Sequence, residues 1–316
     1  LNPKEAPYIS DRGMKGIVDK LSSADRHYFT FNQLYASLYR AAAKKKRKSS
    51  LAAAVILSIF LVLVSFFVAK FTVFLIVACV VGIGLGLFVI LRNRPIRLPH
   101  EALVKSIKTY SQRHPIETMV TGERFSGNVP KEKIQQELFS YAPQRILIVP
   151  SNELVDMLVL NRFHIDNKAA IISSSKYPEH VFKACQKMLE NHPEIPVEVV
   201  HDASQAGQRL VEILKADPSW NLRDKEVRDL GLFPKDVEAM KSPVWIPGST
   251  SGKSALSGGK PEENINAGMR VPLDSVGPNI MMAALATAVV TGALLLGEEL
   301  LAKGAGDSTG GSDSFG

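Results

Sequence analysis

Cysteine is nearly absent: Cys79 and Cys185 are the two in 316 residues. That excludes a disulfide-stapled scaffold. Cys79 lies in an apolar run and Cys185 in a predicted helix, so both read as packing residues. Zinc spacing is missing as well. The seven histidines are scattered, and His164, His180, His192 and His201 have no ligand-spaced companions. No nucleophile elbow and no dinucleotide fingerprint occur. Gly248-Ser249-Thr250-Ser251-Gly252-Lys253-Ser254 falls short of a phosphate-binding loop, because Pro247 stands where the first glycine belongs. Global disorder is excluded by 46% hydrophobic and 22% charged residues.

What is present is basic charge in two places. The chain has 38 basic and 31 acidic residues. Arg40, Lys44, Lys45, Lys46, Arg47 and Lys48 form one cluster, and Arg92, Arg94 and Arg97 form another. Residues 101–240 instead carry 18 basic and 20 acidic side chains. A phosphate-backbone binder needs its basic groups on the binding domain, so nucleic acid is not expected as a partner.

Between the clusters, Leu51–Ala69 and Val73–Leu91 are 19 residues each without a charge, joined through Lys70. A membrane span takes about 20 apolar residues. Residues 51–91 are thus expected to form a transmembrane helical hairpin. The flanking basic clusters place both its ends in the cytoplasm. Ile280–Leu296 adds a third charge-free run, so 279–297 is expected as a third span and 298–316 as a disordered tail. Residues 1–50 read as a cytoplasmic segment with the basic cluster and an amphipathic helix. Leu34, Tyr35, Leu38 and Tyr39 fall at helical spacing there, for packing on the membrane or on the main domain. Residues 241–278, with many Gly, Pro and Ser, read as a flexible linker.

Residues 98–240 alternate strand and helix signals. Arg145–Val149, Ala169–Ser173 and Val197–Val200 read as buried strands, with Glu226–Leu230 as a fourth. Residues Lys131–Tyr141, Glu153–Arg162, Glu179–Asn191 and Ala206–Lys215 read as helices. The expected fold class is α/β: a cytoplasmic Rossmann-like parallel sheet attached to the membrane helices. Ligand sites in such sheets form at the carboxyl ends of the strands.

Those ends carry a resemblance. Val149-Pro150-Ser151-Asn152-Glu153 puts an acid directly after the first strand. His201-Asp202-Ala203-Ser204-Gln205-Ala206-Gly207 follows the third, where the family pattern is Asp-x-Asp-x-x-Gly. Ser175-Lys176-Tyr177-Pro178 and Asp229-Leu230-Gly231-Leu232 fall where similar turns recur. Residues 130–240 thus resemble a Toprim domain, most of all that of the A subunit of type VI topoisomerases and its meiotic relatives. The resemblance implies that Glu153 and Asp202 hold Mg²⁺. Ser204 replaces the second Asp, which weakens such a site. The nucleophilic tyrosine that the family carries on a winged-helix domain has no counterpart context at Tyr110, Tyr141 or Tyr177, so DNA transesterification is not expected. Ser174, Ser204 and Gly207 are the candidate ligand-binding residues.

The expected function is an integral membrane protein, with N-terminus and main domain cytoplasmic, that binds a ligand or a protein partner as a scaffold or sensor. Its partners are the lipid bilayer and a protein or a second copy. No cofactor, or Mg²⁺ alone, is expected. The alternatives are a tethered Mg²⁺-dependent phosphotransfer or nuclease enzyme, and a pore-forming effector gated by the main domain.

Overall fold

The computed structural model describes residues 9–46, 98–127, 142–240, 242–248 and 259–294. The expected hairpin 51–91, the expected helix Lys131–Tyr141 and the tail 298–316 lie outside the described residues.

Four parallel strands form the centre, in the order β2-β1-β3-β4. They are β1 (Arg145–Val149), β2 (Ala169–Ser173), β3 (Val197–Val199) and β4 (Val227–Asp229). β1 pairs with β2 from Arg145↔Ala169 to Val149↔Ser173, and with β3 through Ile146↔Val197. β2 is buried along its whole length, and β1 is buried after Arg145. A parallel sheet covered on both faces requires such runs of Ile, Leu, Val and Ala.

Helices alternate with the strands. After β1 come α4 (Asn152–Leu160) and the single turn α5 (Phe163–Asp166). After β2 comes α6 (Glu179–Asn191), which turns Val181, Phe182, Cys185 and Leu189 inward. Burial pushes the Cys185 thiol up to about 12, so it is an inert packing group. After β3 come α7 (Gln205–Gln208) and α8 (Leu210–Ala216), and after β4 comes α9 (Pro234–Ala239).

A second apolar cluster sits beside the sheet. It joins α1 (Asp11–Leu21), α2 (residues 31–46) and α3 (His100–Arg113) through Met14, Leu34, Leu38, Leu103 and Ile107. Residues 31–46 therefore pack on protein, one of the two settings expected for their apolar face. Thr30 and Gln33 form a capping box at the start of α2: each side chain bonds the other's backbone N–H, at 3.2 and 2.9 Å. Tyr28 is tied to Asn161, whose amide accepts from the Tyr28 N–H at 3.0 Å and donates to its carbonyl at 2.8 Å.

The late segment corrects two expectations. Residues 242–248 and 259–278 are not a flexible linker. They form the two-stranded ladder β5 (Ile246–Pro247) with β6 (Met269–Arg270), and the short helix α10 (Pro261–Asn266). Val244, Ile246, Ile265, Val271 and Leu273 are buried, and Ala203 pairs with Val271 beyond β3. Alternating apolar side chains at 269, 271 and 273 hold this segment against the domain.

The expected third span is also overturned. Residues 278–291 form α11 (Pro278–Thr291), closed by Gly292 in the left-handed conformation. Fourteen residues reach about 21 Å, against about 30 Å of hydrocarbon. Met281, Ala284, Leu285, Ala288 and Val289 are buried in the main core, at the spacing of a core-facing helix stripe. Arg145 donates to the Val289 carbonyl at 3.1 Å and ties down the helix end. No helix among the described residues is long and apolar enough to cross a membrane. The expectations of an integral membrane fold and location are corrected on that finding. Leu285 is fully buried, so Leu285→Ala is expected to cost about 2–5 kcal/mol in urea unfolding.

Candidate functional site

The strand ends open onto a cleft of about 580 Å³, within the range of small-molecule sites. One wall is built by the exits of the strands. Pro150, Ser151 and Glu153 follow β1, Ser174 follows β2, and His201, Asp202 and Ser204 follow β3. The rest of the lining comes from far away in the sequence: Thr30, Phe31 and Asn32 at the start of α2, and Pro247, Arg270 and Asp274 from the late segment. A larger groove of about 710 Å³ runs between α1 and residues 110–118. It lies away from the strand ends and mixes surface charges of both signs.

All five residues singled out from the sequence line the cleft: Glu153, Ser174, Asp202, Ser204 and Gly207. Three of them also do local structural work. Ser204 caps α7 by accepting from the Gly207 N–H at 2.9 Å. Ser174 donates to the Pro150 carbonyl at 3.2 Å, which ties the β2 exit to the β1 exit. At Gly207, an added Cβ would stand 2.2 Å from the Asp202 carbonyl oxygen and 2.9 Å from His201 Nδ1. Only glycine fits that approach. Glu153 sits in the first turn of α4, half-buried at the cleft. Ser151 caps the same helix and lines the same cleft.

Asp202 is committed within the protein. Its Oδ1 accepts from the Leu273 N–H at 2.8 Å, and its Oδ2 is paired with Arg270 Nη1. It is 7% exposed. A carboxylate so engaged is a poor ligand for Mg²⁺, which wants open oxygen donors. Among the described residues no group of three His, Cys, Asp or Glu could hold a metal. The side chains at Glu153 and Asp202 therefore do not fit the metal that the resemblance implies, and Ser204 adds only a capping hydroxyl.

His201 sits beneath Asp202 and is fully buried. Its Nδ1 is 2.8 Å from the Asp202 carbonyl oxygen and its Nε2 is 3.1 Å from Asp229 Oδ1. The Nε2 contact lacks good hydrogen-bond alignment, so attraction of charge carries it. Burial opposes the imidazolium, but Asp229 and the Asp202 carbonyl outweigh it and raise the pKa above the ordinary histidine value. The contribution of this pair is in place below that ordinary value and fades as the pH rises through the raised one. Asp229 is half-buried, which opposes its charge, yet His201 and the Gly231 N–H hold its pKa below the usual carboxylate range.

Tyr177 is a structural residue. Its hydroxyl donates to Asp156 at 2.6 Å and accepts from the Phe125 N–H at 2.6 Å. Burial, with Asp156 next in weight, raises its pKa, so the phenol stays protonated. Tyr110 is buried in the second cluster. Tyr141 lies outside the described residues.

Sequence reasoning passed over Thr30, Asn32, Arg270 and Asp274. Two signals were there to read. Thr30-x-x-Gln33 is a capping box, and Met269, Val271 and Leu273 alternate with Arg270 and Asp274 in the manner of a strand. Comparison with known proteins adds no family: no family model, no curated protein and no solved structure matches this chain.

Proposed function

We propose that the chain is a binding protein whose strand-end cleft takes a small polar molecule, and that it acts as a sensor or scaffold rather than as a metal-dependent phosphotransfer enzyme. One observation carries this reading: Asp202, the acid that metal chemistry would need, is occupied by Arg270 and the Leu273 N–H inside the cleft. What faces the cavity is then a mixed surface. Arg270 keeps about a third of its side chain exposed, Glu153 offers a carboxylate, and Phe31, Leu210 and Pro247 supply apolar wall. A few polar groups on an apolar cavity at the carboxyl edge of a parallel sheet favour a small organic ligand. The Toprim-like reading is kept as a proposal for the topology alone. Its support is the parallel order β2-β1-β3-β4, with Glu153 following β1 and Asp202 following β3.

The test is a melting-temperature screen of amino acids, mononucleotides and sugar phosphates at millimolar concentration. A ligand that binds the native state stabilises it by RT ln(1 + [L]/Kd). At least one class is expected to raise the melting temperature, and Arg270→Gln is expected to abolish most of the gain. No shift with any class, or a full shift in Arg270→Gln, contradicts the reading.

A further inference from the structure

The groove between α1 and residues 110–118 holds two polar groups that the fold leaves open. Tyr110 of α3 and Thr118 both line it, at 6% and 8% exposure. Neither side-chain hydroxyl bonds to another described residue, and neither oxygen is sealed from the cavity. Buried hydroxyls are ordinarily paired, so two open ones in one cavity point to a ligand. The Tyr110 phenol faces α1, since the charges that reach it are those of Lys15, Asp19 and Asp11. Both residues are held firmly. Met14 of α1 packs in one cluster with Leu103 and Ile107 of α3. Phe29 donates to the Thr118 carbonyl and accepts from the Val120 N–H, at 3.0 Å each. The lining is also acidic. Asp11, Asp19, Asp25 and Glu117 stand against Arg12 and Lys15, and Lys15 is paired with Asp19 at 2.7 Å. A left-handed turn brings Asp25 there: Ser23, Ala24 and Asp25 have φ of 49, 58 and 65°, which few non-glycine residues adopt.

We propose that this groove is a second binding site, for a small molecule that carries a guanidinium group. A guanidinium presents five N–H donors in one plane and no acceptor. It matches a cavity whose open polar groups accept: two hydroxyl oxygens and an excess of carboxylates. Ring surface completes the match. Tyr28 and Tyr110 line the same groove, and the His114 ring lies 4.9 Å from that of Tyr110. A guanidinium is less hydrated than an ammonium and rests on aromatic faces. The volume of about 710 Å³ is that of a small-molecule site. A ligand with its own carboxylate is repelled by Asp11, Asp25 and Glu117. The site does not depend on the strand-end cleft, because the two share no lining residue.

The experiment is isothermal titration calorimetry on the full chain with agmatine, arginine and putrescine, at low and at high salt. Agmatine is expected to bind with a Kd of about 1 mM or tighter. Arginine, which differs from it by a carboxylate, is expected to bind more weakly, and so is putrescine, which lacks the planar fork. Tyr110→Phe keeps the ring and removes the open hydroxyl. It is expected to weaken agmatine about tenfold and to leave the melting temperature unchanged, because that hydroxyl has no bond within the described fold to lose. Asparagine tolerates the left-handed turn, so Asp25→Asn removes the charge alone. It is expected to weaken agmatine about threefold and to reduce the salt dependence of binding. Arg270→Gln, in the other cleft, is expected to change nothing. Four results overturn the site: no heat from agmatine at about 10 mM, arginine bound as tightly as agmatine, an affinity unchanged in both Tyr110→Phe and Asp25→Asn, or a Tyr110→Phe variant that melts clearly lower. Loss of agmatine binding in Arg270→Gln moves the ligand to the strand-end cleft and overturns it as well.

Discussion

Gly231→Ala is expected to destabilise the domain by about 3 kcal/mol or more. A Cβ there would lie 2.1 Å from both Cδ2 and Nε2 of His201. The imidazole cannot retreat. Its other side is closed by Gly207 and the Asp202 carbonyl, and the Phe233 ring stands edge-on at 5.2 Å. Relieving the clash means moving His201 off Asp229, which takes a buried imidazole from its half-buried carboxylate partner as well as disturbing the packing. Gly16→Ala is the matching control. It lies in α1, and an added Cβ there meets nothing within 4 Å. Helix propensity then favours alanine by about 0.5–1 kcal/mol. Urea midpoints of the two variants should move in opposite directions. A loss at Gly231 below about 1 kcal/mol, within the range of an unremarkable substitution, would contradict the packing described for His201.

The second large effect is expected at Asp202. Asp202→Ala strips the acceptor from the buried Leu273 N–H and leaves Arg270 without its counter-charge. An orphaned buried N–H costs about 1–3 kcal/mol. Breaking a buried ion pair costs about 3–5 kcal/mol, discounted here because Arg270 is one-third exposed. A total of about 3 kcal/mol is expected in metal-free buffer. Asp202→Asn keeps an oxygen for Leu273 and is expected to lose about half as much. The sign separates two roles. A carboxylate kept for metal chemistry is a stability liability without its metal, so its removal would be neutral or stabilising. A carboxylate that fastens the late segment is missed at once. Chemical denaturation of the two variants beside the wild type decides between them.

The sheet was legible in the sequence and much of its surroundings was not, for a common physical reason. Arg145–Val149 and Ala169–Ser173 were read with the bounds they have, because strands buried on both faces are short continuous apolar runs. Glu179–Asn191 was equally clear, from its apolar stripe and the proline before it. These signals are local. The Ile280–Leu296 run was ambiguous by nature. An alanine-rich apolar helix looks alike whether lipid or protein covers it, and the contacts that settle α11 come from a sheet more than a hundred residues earlier. The late segment was misread because Gly, Pro and Ser outweighed the alternation at Met269, Val271 and Leu273. The cleft shows the same division. Glu153, Ser174, Asp202, Ser204 and Gly207 follow from the strand-end rule. The partners that change their meaning do not: Arg270 is 68 positions from Asp202, and Thr30 is 244 from Asp274. A carboxylate at a strand end reads as a metal ligand until the cation that neutralises it is placed.

The most direct test of that assignment is a Mn²⁺ titration of the full chain followed by electron paramagnetic resonance, which reads the free hexa-aqua ion. With Asp202 held by Arg270 and the Leu273 N–H, the free-ion signal is expected to stay undiminished at equimolar protein and millimolar metal, in the wild type and in Glu153→Gln alike. A signal that is quenched by the wild type and restored in both Glu153→Gln and Asp202→Asn would place a metal between those carboxylates and contradict the metal-free cleft.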